Sequence, residues 1–192
     1  MDTRMETRDI VQIALFAALM AVLGLFPPLM LPAIGVPITA QSMGPMLMGG
    51  ILGARKGGLS MLLFILLVAI GLPLLSGGRG GLGALIGPWS GFIYGWLAGA
   101  VVTGILTERV YRRLNYPLAF VSSAVGGILV VYGVGVTWYA VASGVPIPAA
   151  FVTSAMVFLP GDIIKAGLAA AIIVTVRRAY PLIRNPHGAA RP

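Results

Sequence analysis

Residues 149–176 read AAFVTSAMVFLPGDIIKAGLAAAIIVTV. One helical membrane crossing takes roughly 20 apolar residues, and this stretch is long enough for it, yet it carries Asp162 and Lys165. In a continuous helix its midpoint falls between 162 and 163, which puts both ions near the bilayer centre. An ionisable group at that depth costs on the order of 3 kcal/mol unless it finds a partner. At spacing i, i+3 the two share one helix face and can pair. Pro160 lacks the N–H that would bond back to Met156, and Gly161 loosens the turn further, so free carbonyls join the charges. Two readings stand side by side: a structural ion pair that pins the helix, and a ligand site. Helical side chains lean toward the helix N-terminus, so the pair reaches toward the end where this helix enters.

Outward from this stretch, uncharged runs cover 10–54, 57–78, 80–107, 115–161 and 166–176. The two longest each hold a pair of helices, divided where Pro and Gly gather: at Pro27, Pro28, Pro32 and Pro37, and at Gly144, Pro146 and Pro148. The expected fold is all-α, a single integral membrane bundle of six helices at about 10–26, 42–54, 57–72, 88–107, 118–142 and 149–176, with a tail over 177–192. Arg4 and Arg8 before an apolar stretch imitate a signal peptide, but Pro27 and Pro28 follow Phe26 in place of a clean cleavage site, so a retained first helix is expected. The second segment is too short to cross alone, so the loop from Pro27 to Gln41 is expected to dip inward. Irregular backbone at that depth is tolerated only where protein buries it or it lines a cavity. No clear internal repeat supports an inverted-repeat transporter.

The composition agrees: of 192 residues 58% are hydrophobic and 9% charged, and mean hydropathy is +0.98, which excludes a soluble enzyme. There is no Cys, and the single His187 sits in the polar tail, so disulfide, redox-thiol and zinc chemistry drop out. The net charge of +8 does not signal nucleic acid, because the 13 Lys and Arg lie at the ends of apolar runs. With both termini on the cytoplasmic side, Arg4, Arg8, Arg55, Lys56, Arg109, Arg112, Arg113, Arg177, Arg178, Arg184 and Arg191 all face inward. Arg79 alone faces out, and Lys165 is inside a span.

Residues 77–88 contain Gly78, Gly80 and Gly83 at GxGxxG spacing. A dinucleotide fingerprint needs a preceding strand and a later acid, and both are missing; no P-loop Gly-Lys-Ser or Gly-Lys-Thr is present either. The stretch is a plain loop, or a backbone able to bring its N–H groups to a small ligand beside Arg79. Gly91, Gly95 and Gly99 form a small-residue ridge, and Ala14 and Ala18, beside Ala17 and Ala21, form another. Each suits packing within the bundle or against a second subunit. Ser90 and His187 fall at opposite ends, so no hydrolytic Ser–His pair forms.

In order and spacing, Val36-Pro37-Ile38-Thr39-Ala40-Gln41, Gly71-Leu72-Pro73, the run Gly77 to Gly83, Gly87-Pro88, and Pro160-Gly161-Asp162 with Lys165 resemble the BioY family, the biotin-binding S components of energy-coupling factor transporters. The likeness runs from about residue 10 to 176. Where that family usually has Thr-Gly-Gly-Tyr after Gly-Pro, this chain has Trp89-Ser90-Gly91-Phe92, with Tyr94 a turn or less away. The resemblance implies a multi-pass protein of the bacterial plasma membrane with an outward biotin pocket, working with a T component and two cytoplasmic ATPases. It implies no enzyme activity and no resident cofactor. A helix-one Ala-x-x-x-Ala face, here Ala14 and Ala18, would meet the T component. Biotin would be held by Thr39 and Gln41 of the first outer loop, by Asp162 accepting from the ureido N–H groups, and by Lys165 donating to the ureido oxygen or holding Asp162. Arg79 with the Gly78 and Gly80 backbone would take the carboxylate, and Trp89, Tyr94 or Trp138 would pack on the rings. The reverse orientation, carboxylate on Lys165, stays physically open. Two other functions remain: a small proton-coupled transporter in which Asp162 titrates, and a ligand-free membrane assembly subunit.

Overall fold

The computed structural model describes residues 5–26, 29–30 and 37–183. Arg4, Pro27, Pro28, Pro32, Val36, Arg184, His187 and Arg191, which enter the sequence argument, lie outside the described residues. Helix α1, Thr7–Leu25, opens where the Glu6 N–H donates to Asp9 Oδ2 at 3.3 Å. It stops as Phe26 turns extended (ψ 126°), the conformation that a following proline favours. Two-residue strands β1 (Leu29–Met30) and β2 (Pro37–Ile38) pair antiparallel, a small hairpin that the sequence reading takes for loop. A 3-10 turn, Ala40–Met43, then feeds α2, Gly44–Leu52, with Pro45 at its start.

Helix α2 spans only about 14 Å at 1.5 Å per residue, and every one of its residues is buried. It is a core helix, surrounded by protein. Gly53, at φ +84°, turns the chain into α3, Ala54–Ala69. Arg55 and Lys56 lie in the first turn of α3, where positive charge opposes the helix dipole. Glu108 offsets this, its Oε1 accepting from the Ala54 N–H at 2.8 Å.

A hairpin-like turn and the short α4, Gly83–Ile86, lead to α5, Ser90–Val110, which continues as a 3-10 turn to Arg113. Helix α6, Tyr116–Ala124, starts with Asn115 Oδ1 accepting from the Leu118 N–H at 3.0 Å. It passes through a π-helical segment, Val125–Val130, into α7, Val131–Ser143, which Gly144 ends in the left-handed conformation. Then come α8, Ile147–Phe151, a second π-helical segment, Val152–Met156, and α9, Leu159–Ala179.

The single helix expected over 149–176 is therefore two pieces. The helix breaks at Val157–Phe158 and restarts with Pro160 in the first turn of α9. Pro160 has no N–H to give Met156, and its ring would collide with that carbonyl. Asp162 thus lies in the first turn of α9 and not at a helix midpoint.

Among the described residues, four helical rods are long and apolar enough to cross a membrane: 7–25, 90–113, 116–143 and 159–179. Their outer faces carry exposed Val11, Leu15, Val22, Leu129, Val141 and Leu168, a surface suited to lipid rather than water. One end of the bundle collects charge. Lys56 Nζ meets Asp9 Oδ1 at 3.3 Å and Gln12 Oε1 at 2.7 Å, Arg177 donates to the Leu114 carbonyl at 2.6 Å, and Arg8 donates to the Tyr180 hydroxyl at 2.7 Å. The start of α1 and the end of α9 therefore share this end.

The glycine ridge of α5 packs inside the bundle. A Cβ on Gly95 would fall against the Val131 backbone, one on Gly99 against the Gly126 carbonyl, and one on Gly91 against the Trp138 side chain. On α1, Ala17 is buried while Ala14 and Ala18 are exposed. The ridge generates a test: Gly95→Leu, with backbone in its way, lowers stability by about 1–3 kcal/mol or more, read as an earlier unfolding transition in detergent.

Candidate functional site

The 3-10 turn that precedes α2 is held in place by Gln41, which is 1% exposed. Its Nε2 donates to the Met20 carbonyl at 3.1 Å and to the Leu74 carbonyl at 2.8 Å, and its Oε1 accepts from the Ser76 N–H at 2.8 Å. One side chain thereby ties α1, the loop before α2, and the 72–79 segment. Gly24 makes room for it, since a Cβ there would strike the Leu74 carbonyl and the Gln41 amide. Of the loop expected to dip inward, the described end carries this buried amide, and residues 27–28 and 31–36 lie outside the described residues.

Next to Gln41, Ser42 faces α9. Lys165 Nζ donates to Ser42 Oγ and to Asp162 Oδ1, both at 2.8 Å, and Ser42 Oγ donates to the same Oδ1 at 2.8 Å. The other carboxylate oxygen, Oδ2, accepts from the Tyr132 hydroxyl of α7 at 2.7 Å. Asp162 is 3% exposed. A carboxylate offers about four acceptor positions; Ser42, Lys165 and Tyr132 fill three, leaving about one for a visitor. The pair is neutral in sum, and the start of α9 adds a favourable dipole for the carboxylate.

This network forms one wall of a cavity of about 340 Å³, lined by Thr39, Gln41, Ser42, Leu75, Ser76, Arg79, Ala84, Trp89, Phe92, Ile93, Trp96, Val131, Tyr132, Phe158 and Asp162. The volume lies at the small-molecule end of ligand pockets. Its aromatic side is a linked set: Trp89 lies 4.8 Å from Tyr139, and Phe92 meets Tyr132 edge-on at 6.2 Å and Phe158 at 6.4 Å. Apolar rings surround a few placed polar groups.

Opposite in character is the turn at 75–79. Leu75 and Arg79 exchange backbone hydrogen bonds of 3.0 and 3.2 Å, and Gly77 and Gly78, at φ +80° and +69°, supply the left-handed residues that the turn needs. Arg79 Nε donates to the Ser76 carbonyl at 3.3 Å. The Arg79 side chain is exposed at the cavity edge, with no acidic partner among the described residues.

Of the residues named from the sequence, Thr39, Gln41, Arg79, Trp89 and Asp162 border the cavity. Lys165 does not border it; it stands behind Ser42 and Asp162 and orients them. Gly78 and Gly80 also lie off the wall. Gly78 borders a separate apolar hollow with Phe26 and Pro73, and a Cβ on Gly80 would press on the Leu72 carbonyl. Of the amides in this loop, the Arg79 N–H bonds to the Leu75 carbonyl at 3.2 Å and the Gly81 N–H to the Val68 carbonyl of α3 at 2.8 Å. Tyr94 and Trp138 stack edge-on at 5.3 Å and donate to the Leu85 and Gly87 carbonyls at 2.6 and 3.1 Å. They brace the α4 loop from outside the cavity.

Sequence reasoning missed Ser42, Ser76 and Tyr132. A Tyr in an apolar run lowers hydropathy too little to stand out. The usable signal for Ser42 was its place beside Gln41, where the loop meets the short second segment.

The BioY family model matches residues 1–182. A biotin transporter BioY of Rhizobium etli is 50% identical over 184 residues, covering 93% of this chain and 98% of that protein. A biotin transporter BioY of Rhodobacter capsulatus is 44% identical over 190 residues, covering 93% and 99%. A crystal structure described as the S-component for biotin from an ECF-type ABC transporter superposes with a TM-score of 0.83 at 31% identity, covering 91% of this chain and 95% of that one. The chain belongs to the BioY family, a family of transporters and not of enzymes.

The buried network generates a stability test. Lys165→Met leaves a buried carboxylate without its counter-charge and costs about 3–5 kcal/mol. Adding Asp162→Asn recovers a large part of that loss, measured as the unfolding midpoint of the single and double variants in the same detergent.

Proposed function

We propose that this chain is the substrate-binding S component for biotin uptake, capturing biotin in the cavity beside Asp162 and passing it inward with an energy-coupling module. The observation that carries this reading is a satisfied, buried carboxylate with about one acceptor position left, on the wall of a ring-lined cavity. A ureido N–H of biotin donates to that position. The bicyclic rings pack against Trp89, Phe92 and Trp96, and Arg79 receives the valerate carboxylate at the cavity edge. Thr39 and Gln41 shape the wall, and Lys165 positions Asp162. The reverse orientation is disfavoured because the Lys165 ammonium is behind the wall, already donating to Ser42 and Asp162.

In this reading the bundle crosses the bacterial plasma membrane six times, with α2, α3 and the 147–156 segment completing crossings that the four longer rods do not make. Both termini and the charged end face the cytoplasm, and Arg79 faces out; the Lys and Arg distribution supports this orientation. The exposed Ala14 and Ala18 face of α1 meets the transmembrane T component, and two cytoplasmic ATPases supply the energy. The solved S-component belongs to an ECF-type ABC transporter, which favours this over proton coupling or a ligand-free assembly subunit.

Because the chain has no Cys, single cysteines report orientation cleanly. In intact cells Arg79→Cys reacts with a membrane-impermeant maleimide and Arg112→Cys does not; the opposite pattern overturns the orientation. Purified protein binds biotin, and Asp162→Asn weakens it by roughly ten- to hundredfold, the loss of about 1.5–3 kcal/mol expected for a charge-assisted hydrogen bond. Lys165→Ala weakens it as well, through the freed carboxylate. Unchanged affinity in both variants removes the pair from the site.

A further inference from the structure

Four side-chain hydroxyls, those of Ser76, Thr103, Thr107 and Ser123, are unpaired among the described residues and sealed within the packing. The indole N–H of Trp96 is unpaired in a different way. It has no hydrogen-bond partner among the described residues, yet Trp96 is only partly buried and borders the cavity, and its Nε1 opens on free space. A Trp N–H in apolar surroundings normally finds a partner, because a donor left bare there carries its desolvation cost with no return. Trp89, Phe92, Ile93 and Trp96 all border the cavity, and their spacing of i, i+3, i+4 and i+7 puts them on one face at the start of α5. Trp96 is the innermost of the four. Its neighbour Gly95 packs on the Val131 backbone, which sets Trp96 at the level of Val131 and of Tyr132, whose hydroxyl holds Asp162.

We infer that the Trp96 indole N–H is a specificity-determining ligand contact, donating to the carbonyl oxygen of the ureido head whose N–H meets Asp162. This rests on the reading of the cavity as a biotin site. A cyclic urea brings N–H donors and one strong acceptor, so a wall that only accepts leaves its oxygen bare. At the level of Asp162 the other donors are already committed. The Ser42 and Tyr132 hydroxyls donate to Asp162, the Gln41 amide donates to the Met20 and Leu74 carbonyls, and Lys165 stands behind the wall, donating to Ser42 and Asp162. Arg79 is free of acidic partners among the described residues, but it sits at the cavity edge. Trp96 therefore supplies the donor that Asp162, as an acceptor, cannot, and the two together read both polarities of the head. An indole N–H is donor only, so the contact rejects a head that offers no acceptor at this point.

Trp96→Phe keeps an aromatic ring and removes no hydrogen bond from the unliganded protein, so its unfolding midpoint stays close to that of the wild type. The test measures binding of biotin, and of an analogue whose ureido oxygen is replaced by the weakly accepting sulfur, to wild type and to Trp96→Phe. The expected result is a loss of roughly tenfold in biotin affinity in the variant, with a clearly smaller loss for the sulfur analogue, the coupling that a double-mutant cycle isolates. A second measurement avoids this variant. In Trp89→Phe protein with 15N-labelled indoles, where Trp96 and the already bonded Trp138 remain, biotin moves one indole N–H resonance downfield and the sulfur analogue moves it less. Unchanged biotin affinity, an equal loss for both ligands, or no such shift overturns the assignment while leaving the biotin reading intact. Absence of biotin binding by the wild type overturns that reading and this inference with it.

Discussion

The arrangement of this protein depends on satisfying one carboxylate buried inside an apolar bundle. Asp162 is held from three directions: by Lys165 on its own helix, by Ser42 from the turn before α2, and by Tyr132 from α7. Each partner belongs to a different part of the chain, so the network fixes α7 and the 40–43 turn against the start of α9. A buried ion pair is a poor source of net stability, because desolvation consumes most of the attraction. What it provides is registry, since the elements dock only where all three donors reach the same two oxygens.

Two irregularities make the network possible. Pro160 breaks the last long apolar stretch, so Asp162 falls in a first turn, where the helix dipole favours negative charge. The same break lets Phe158 join the aromatic side of the cavity. The nine-residue α2 is the second irregularity. A full-length helix there would fill the space that its preceding turn now occupies, and Ser42 would have no route to the α9 wall. Gln41 makes the turn affordable by satisfying three backbone groups that water does not reach.

Much of this was legible in the sequence, for reasons particular to each element. Asp162 and Lys165 stand out because charge in an apolar run is costly, and costly features are placed. The short second segment was legible by length alone, and the gathering of Arg8, Lys56, Arg112 and Arg177 at one end by their positions between apolar runs. The helix break was only half legible: the sequence shows that Pro160 disrupts a turn, but whether a helix kinks or restarts depends on the packing around it. Ser42 and Tyr132 were hidden because hydroxyls are compatible with both lipid-facing and buried positions, and only the fold brings them within 3 Å of one carboxylate. Tyr94 and Trp138 show the converse. Their nearness in sequence or kind to the site suggested ring contacts, whereas their polar tips are drawn to the carbonyls of the α4 loop.

The distribution of satisfied and unsatisfied groups also bears on selectivity. Ring stacking against Trp89, Phe92 and Trp96 rewards any flat apolar body of suitable size and discriminates weakly, since a methylene more or less changes binding by only about 1–3 kcal/mol. Discrimination comes from polar groups that go unpaired when the wrong molecule enters. In this cavity such groups stand apart, the last acceptor position of Asp162 on one wall and the Arg79 guanidinium on the hairpin. On the proposed reading, a molecule with a donor on its ring and an anion on its tail satisfies both, and one lacking the donor leaves the buried Asp162 position bare. Lys165 and Gln41 hold the wall in shape through hydrogen bonds within the chain, and on the proposed reading such preorganisation leaves little ordering to be done on entry.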